Sequence, residues 1–92
     1  MQKPSLGRVV HYHFAGRDGA TVTRPAIVVH VWDDATVNLQ VFFDGANDAI
    51  GPGDLGWRTS VRFGAPPTDG TGILSPSWTW PPFVAPTAAP KE

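Results

Sequence analysis

Between Arg24 and Gly45 apolar side chains recur at every second position: Ile27, Val29 and Val31, then Val37, Leu39, Val41 and Phe43. A period of two sets each group on one face of an extended strand. The pattern breaks only at Asp33-Asp34-Ala35-Thr36, where short polar side chains can bond their own backbone and start a turn. The stretch therefore predicts a hairpin with Ile27, Val29 and Val31 facing inward and Val28, His30 and Trp32 facing outward. On the second strand Asn38, Gln40 and Phe42 are expected to face outward. Phe42 and Phe43 place an aromatic on both faces, so cover is expected on both sides there, from the tail or from another subunit.

The rest of the chain is short enough to attach to this hairpin. Ten glycines and ten prolines leave no room for long helices. A strand is predicted from about Arg8 to Phe14, with Val10, Tyr12 and Phe14 inward and Val9, His11 and His13 outward. A turn-rich loop follows and runs on through Thr23, so that Pro25 is expected as the first residue of the next strand, where its missing N–H costs no ladder bond. Residues 44–56 show no periodicity. Their glycines and aspartates could converge on a ligand, or the segment could be a plain surface connection. Trp57 to Phe63 alternates again, with Trp57, Thr59, Val61 and Phe63 on one face and Arg58, Ser60 and Arg62 on the other. Beyond Gly64 a Pro/Gly linker leads to an aromatic arm that holds Trp78 and Trp80 on one side of an extended segment. These features predict an all-β fold, a small SH3-like antiparallel barrel with a Pro/Trp-rich C-terminal arm, with an OB-type barrel as the other possibility. The expected organisation is a barrel over 1–63, a linker and arm over 64–83 packed on the barrel or on a neighbouring subunit, and a disordered tail over 84–92.

Several classes of function are disfavoured. The absence of cysteine removes disulfides and thiolate metal sites and agrees with a reducing compartment. A net charge of −1 without a basic run argues against bulk binding of nucleic acid. The polar Met-Gln-Lys-Pro start is unlike a secretory signal, and no apolar run is long enough to span a bilayer, so a soluble intracellular protein is expected. Ser5, Ser60, Ser75 and Ser77 lie outside any nucleophile elbow, Asp33 and Asp34 diverge as neighbours in a turn, and no phosphate-cradling loop occurs. A non-enzymatic protein without a cofactor is expected. His11, His13 and His30 are the candidates for a metal site. Histidines on a half-solvated sheet face are the simpler reading, and no metal is expected. Asp44, Asn47 and Asp48 lack the spacing and the bidentate glutamate of a calcium loop.

A binding face suits the sequence better. Arg58 and Arg62 could hold phosphate or carboxylate. Trp32, Phe42, Trp78 and Trp80 offer flat surfaces for a base, and Asn38 and Gln40 could read the edge of a ring. Phe42, Trp78, Trp80 and Phe83 could equally fill a subunit interface.

Gly7-Arg8-Val9-Val10-His11-Tyr12, Arg24-Pro25-Ala26-Ile27-Val28, Val31-Trp32, Val37-Asn38-Leu39-Gln40-Val41-Phe42, Asp44-Gly45, Asn47-Asp48, Thr59-Ser60-Val61 and Trp78-Thr79-Trp80-Pro81 follow one another in this chain. In this it resembles a group of short phage and prophage proteins with the pattern G-R-x-V-H-Y…P-A-I-V…V-W…V-N-L-Q-V-F…D-G…W…S-V…W-x-W-P. The resemblance covers about residues 3 to 83. Members often carry histidine between the paired tryptophans, where this chain has Thr79. The family brings no activity that carries over residue by residue, but the resemblance implies a phage origin. Small phage accessory proteins include oligomers that sequester nucleotide signals of bacterial immunity, virion or assembly components, and blockers of host proteins. The leading expectation is a homo-oligomer in the cytoplasm of the infected bacterium that sequesters a nucleotide-type small ligand. The alternative is a virion or assembly component that binds another phage or host protein through the aromatic arm.

Overall fold

The structure, a computed structural model, describes residues 2–16, 18–48, 50–64 and 76–82. Phe83, the linker at 65–75 and the tail at 84–92 lie outside the described residues. Five strands close into a barrel: β1 (Val9–Ala15), β2 (Thr21–Val31), β3 (Thr36–Val41), β4 (Trp57–Phe63) and β5 (Ser77–Thr79). Each strand pairs with the next in sequence and β5 returns to β1. That is a closed meander, the order expected of an SH3-like barrel, and it differs from the Greek key of an OB barrel. Four seams are antiparallel, but β4 and β5 run parallel, with Arg62 opposite Ser77 and Phe63 opposite Trp78. A parallel pair needs a connection of about a dozen residues, and residues 64–76 have that length. Among the described residues no helix is long and apolar enough to cross a membrane.

The core is made of Val10, Tyr12 and Phe14 from β1, Ala26 and Val28 from β2, Val37, Leu39 and Val41 from β3, Val61 from β4 and Trp78 from β5. Tyr12, Phe14 and Phe43 close one end, with ring centroids 5.1–6.1 Å apart. Trp78 is fully enclosed and is the largest such side chain among the described residues. Its ring meets Phe63 at 4.9 Å and Trp80 at 5.4 Å. The Trp78 indole N–H donates to the Ala35 carbonyl at 2.9 Å, and the same oxygen accepts from Phe63 N at 2.7 Å. One carbonyl of the β2–β3 turn thus ties down both strands of the closing seam. The Ser77–Thr79 segment of the aromatic arm is therefore a strand of its own barrel, and the strands up to Phe63 alone do not complete the cylinder.

The predicted turn at Asp33–Thr36 forms. Asp33 Oδ1 accepts from the backbone N–H groups of Ala35 and Thr36, each at 2.8 Å, and these bonds hold its carboxyl below the usual carboxylate range. The inward set on β2 is corrected, however. Ala26 and Val28 face the core, whereas Val29 is exposed. A register shift between Val28 and His30 resets the alternation, so that Val31 packs inward again. Pro25 is also not the first residue of its strand but the fifth. It lies where β3 runs out: its carbonyl accepts from Phe42 N at 3.0 Å, one residue past the last strand position of β3. The N–H it lacks belongs to the end of that ladder, which is why it is tolerated.

Candidate ligand-binding face

Because Val37, Leu39 and Val41 point into the barrel, Thr36, Asn38, Gln40 and Phe42 alternate to its outer side. Residues directly opposite in an antiparallel pair share a face. Arg62 lies opposite Thr36, His30 opposite Asn38, and both Ile27 and Trp57 opposite Gln40. The outer surface of β2–β3–β4 therefore collects Arg62, Asn38, Gln40 and Phe42, all expected from the sequence, together with Trp57. Trp32 joins them from the start of the turn. Its indole N–H donates to Asn38 Oδ1 at 2.8 Å, the His30 ring stands edge-on at 4.4 Å, and 58% of the residue stays open to solvent.

Asn38 is buried beneath this surface. Its Oδ1 accepts not only from Trp32 but also from Thr59 Oγ1 at 2.9 Å and from Ser60 N at 2.8 Å. It is a strut that orients Trp32 rather than a free reader of a ligand edge. Gln40 is half-buried, and its amide nitrogen donates to the Leu55 carbonyl.

The expected arginine pair does not share a face. A register shift lies between the Val37–Val61 and Leu39–Arg58 pairs, and Ser60 adopts φ +56° there. The extra residue puts Arg58 opposite the inward Leu39 while Arg62 stays outward. At the mouth of the barrel the Arg58 guanidinium lies 4.7 Å from the Phe43 ring centroid. It donates to Asp54 Oδ1 and Oδ2 at 3.1 and 2.8 Å and to the Trp57 carbonyl at 2.9 Å. Arg58 and the backbone N–H of Gly56 hold the Asp54 carboxyl down to about 2, whereas burial raises the Tyr12 hydroxyl against the opposing pull of Arg58. Arg58 is committed to this cluster.

Other expected residues are also placed elsewhere. Trp78 has no surface to offer a ligand or a partner. Trp80 is half-buried, donates to the Gln2 carbonyl at 3.2 Å and has the Arg8 guanidinium 5.4 Å from its ring centroid. The three histidines are not gathered. His11 and His13 meet edge-on at 6.5 Å, and His30 lies against Trp32 on the outer face. His13 is buried, and its ring nitrogens lie 2.8 Å from Thr23 Oγ1 and 2.7 Å from Thr79 Oγ1. Among the described residues no group of three or more acidic or histidine side chains could hold a metal.

Alternation alone misses Trp57, because it assigns Trp57 to the inward set of Val61. The bulge at Ser60 puts Trp57 and Val61 on opposite faces, and no residue type marks it in advance. The segment after β3 is built rather than loose. It opens with a 3₁₀ turn at Gly45–Asp48, and Arg24 Nε and Nη2 each donate to an Asp48 carboxylate oxygen at 2.7 Å. At its far end Gly56 has φ +85°, and the Val41 carbonyl occupies the space a Cβ would need. Between these anchors lies a concavity of about 490 Å³ lined by Gln40, Phe42, Phe43, Ile50, Pro52 and Leu55, among others.

No protein-family model, curated protein or solved structure matches this chain.

Proposed function

We propose that the protein is a non-enzymatic accessory binding protein of phage origin, acting in the cytoplasm of an infected bacterium as a homo-oligomer that sequesters a nucleotide-type small ligand. The observation that carries this reading is the Trp32–Arg62 end of the outer face. A flat ring is pinned at its N–H and open on its surface, and an exposed guanidinium stands on the same side of the sheet. Such a pair suits a ligand that joins a planar base to an anionic group: the indole stacks the base and the guanidinium takes the phosphate. Arg58 has no part in this reading, because its donors are held by Asp54 and a backbone carbonyl. The alternative, a virion or assembly component that docks through the aromatic arm, finds less support, since Trp78 is enclosed and Trp80 leans on the core.

Native mass spectrometry of the protein, alone and with a pool of cyclic nucleotides and cyclic ADP-ribose isomers, tests the reading. A defined oligomer that gains discrete ligand masses, and loses them in Trp32→Ala and Arg62→Ala, is expected. A ligand-free spectrum under every condition would overturn the nucleotide reading.

A further inference from the structure

Gln40 sits at the centre of an uncharged patch on the outer face. Trp57 lies opposite it across the β3–β4 seam, Ile27 opposite it across the β2–β3 seam, and its amide nitrogen donates to the Leu55 carbonyl. Phe42 follows two positions later on the same side of β3. Exposed Pro25 stands beside Phe42, its carbonyl accepting from Phe42 N. Phe42 and Trp57 are 53% and 55% exposed, and Leu55 is 82% exposed. These three side chains leave roughly 300 Å² of apolar surface in water, enough to mark a contact site.

The patch holds a hollow beside its projections. The concavity of about 490 Å³ opens between Phe42 and Leu55, with Phe43, Ile50 and Pro52 on its walls. Asp54 is the one charged side chain among its described lining residues, and Arg58 already donates to both of its carboxylate oxygens. Removing water from this surface therefore strands no unpaired charge.

These features select the occupant. In a twofold-symmetric contact one patch meets itself, so it must carry both the projecting and the receiving half. Here Leu55 and Trp57 project next to the hollow, and the charge is cancelled within each chain. A net charge of −1 adds little repulsion between copies. A stable dimer buries about 800 Å² per partner, a little over half of it apolar. Phe42, Leu55 and Trp57, with Pro25, Ile27 and the walls of the concavity, supply an apolar centre of that order.

We propose that a second copy of this chain docks here in a twofold-symmetric dimer, each copy's Leu55 entering the other's concavity. The inference rests on the homo-oligomer part of the proposed function and is independent of its ligand, because the patch does not include Trp32 or Arg62.

Sedimentation equilibrium of the full-length protein is expected to show a monomer–dimer equilibrium. Leu55→Asp and Phe42→Asp, both at exposed positions, are expected to weaken it about 100-fold or more, because like charges then meet across the interface. Their unfolding midpoints are expected to stay close to that of the parent monomer. Trp32→Ala is expected to keep the dimer while losing the ligand masses, so the two readings fail separately. In a mixture of isotope-labelled and unlabelled parent protein, isotope-filtered NMR is expected to show Overhauser contacts from the Leu55 methyl groups of one copy to Phe43 and Ile50 of the other. A monomer at every concentration, an assembly larger than a dimer, a dimer that both aspartate variants leave intact, or contacts between copies that miss Leu55 and the concavity would each overturn the proposal.

Discussion

Asn38 Oδ1 receives the backbone N–H of Ser60 at 2.8 Å, across the β3–β4 seam at the point where β4 bulges. Thr59 Oγ1 and Trp32 Nε1 share the same acceptor. A side-chain amide thus replaces the ladder bond that the bulge interrupts and sets the angle of Trp32. Leaving a buried N–H unpaired costs about 1–3 kcal/mol, so Asn38→Ala is expected to lower stability by at least about 2 kcal/mol in urea unfolding. Asn38→Asp keeps an acceptor and is expected to lose less. Because Ser60 has φ +56°, Ser60→Gly is expected to be neutral or stabilising by up to about 1 kcal/mol, and Ser60→Val destabilising.

Arg24 and Asp48 fasten the segment after β3 to the middle of β2. The Asp48 side chain is 1% exposed and that of Arg24 is 29% exposed. Breaking a buried pair costs about 3–5 kcal/mol, and the solvent that reaches Arg24 reduces that to about 2–3 kcal/mol. Asp48→Asn and Arg24→Met are each expected to show a loss of this size in chemical denaturation. Amide exchange is expected to speed up first around residues 44–48 and 50–56.

Asp48 and Asp54, like Asp33 in the turn, make the fold sensitive to acid. Asp48 is held low chiefly by hydrogen bonds from Arg24, and Asp54, at about 2, chiefly by those from Arg58. Both have lower pKa values folded than unfolded. Their contribution is therefore complete above the unfolded value near 3.8 and is lost as pH falls through the folded values. The denaturation midpoint is expected to drop between about pH 4 and pH 2, and less steeply in Asp54→Asn.

His13 adds a second window at milder pH. Burial, and then the neighbouring His11, lower its pKa below 6.5. The unfolded chain thus takes up the proton first, so stability is complete above about pH 6.5 and declines as pH falls through the folded value. His13 links β1 to Thr23 on β2 and to Thr79 on β5. His13→Gln is expected to reduce the difference in midpoint between pH 7.5 and pH 5.5. An unchanged difference would remove His13 from this role.

Trp78 is the interior plug of the closing strand. Truncating a buried tryptophan to alanine costs about 3–5 kcal/mol, a large share of the 5–15 kcal/mol typical of a domain. Trp78→Ala is expected to be largely unfolded. Trp78→Phe is expected to remain folded with a loss of about 2 kcal/mol, from the lost volume and the lost bond to the Ala35 carbonyl. Its emission is expected to shift red, because the other three tryptophans are at least partly exposed.

What sequence alone determined is local. Alternation locates the strands around Val10–Phe14, Val37–Val41 and Trp57–Phe63, and the short polar run Asp33–Thr36 specifies the turn, because side-chain period and Asx bonding depend on near neighbours. The inward sets of β1 and β3 follow from the same rule. Tertiary structure decided whatever depends on register. Single-residue bulges on β2 and β4 put the residues before them out of phase with those after, so Val28 is inward as well as Val31, Arg58 is separated from Arg62 and Trp57 lies outward. The same holds for Trp78 and His13: each is buried because the short β5 strand returns to β1 and β4. That long-range pairing follows from closing the barrel around its core, and no run of adjacent residues encodes it.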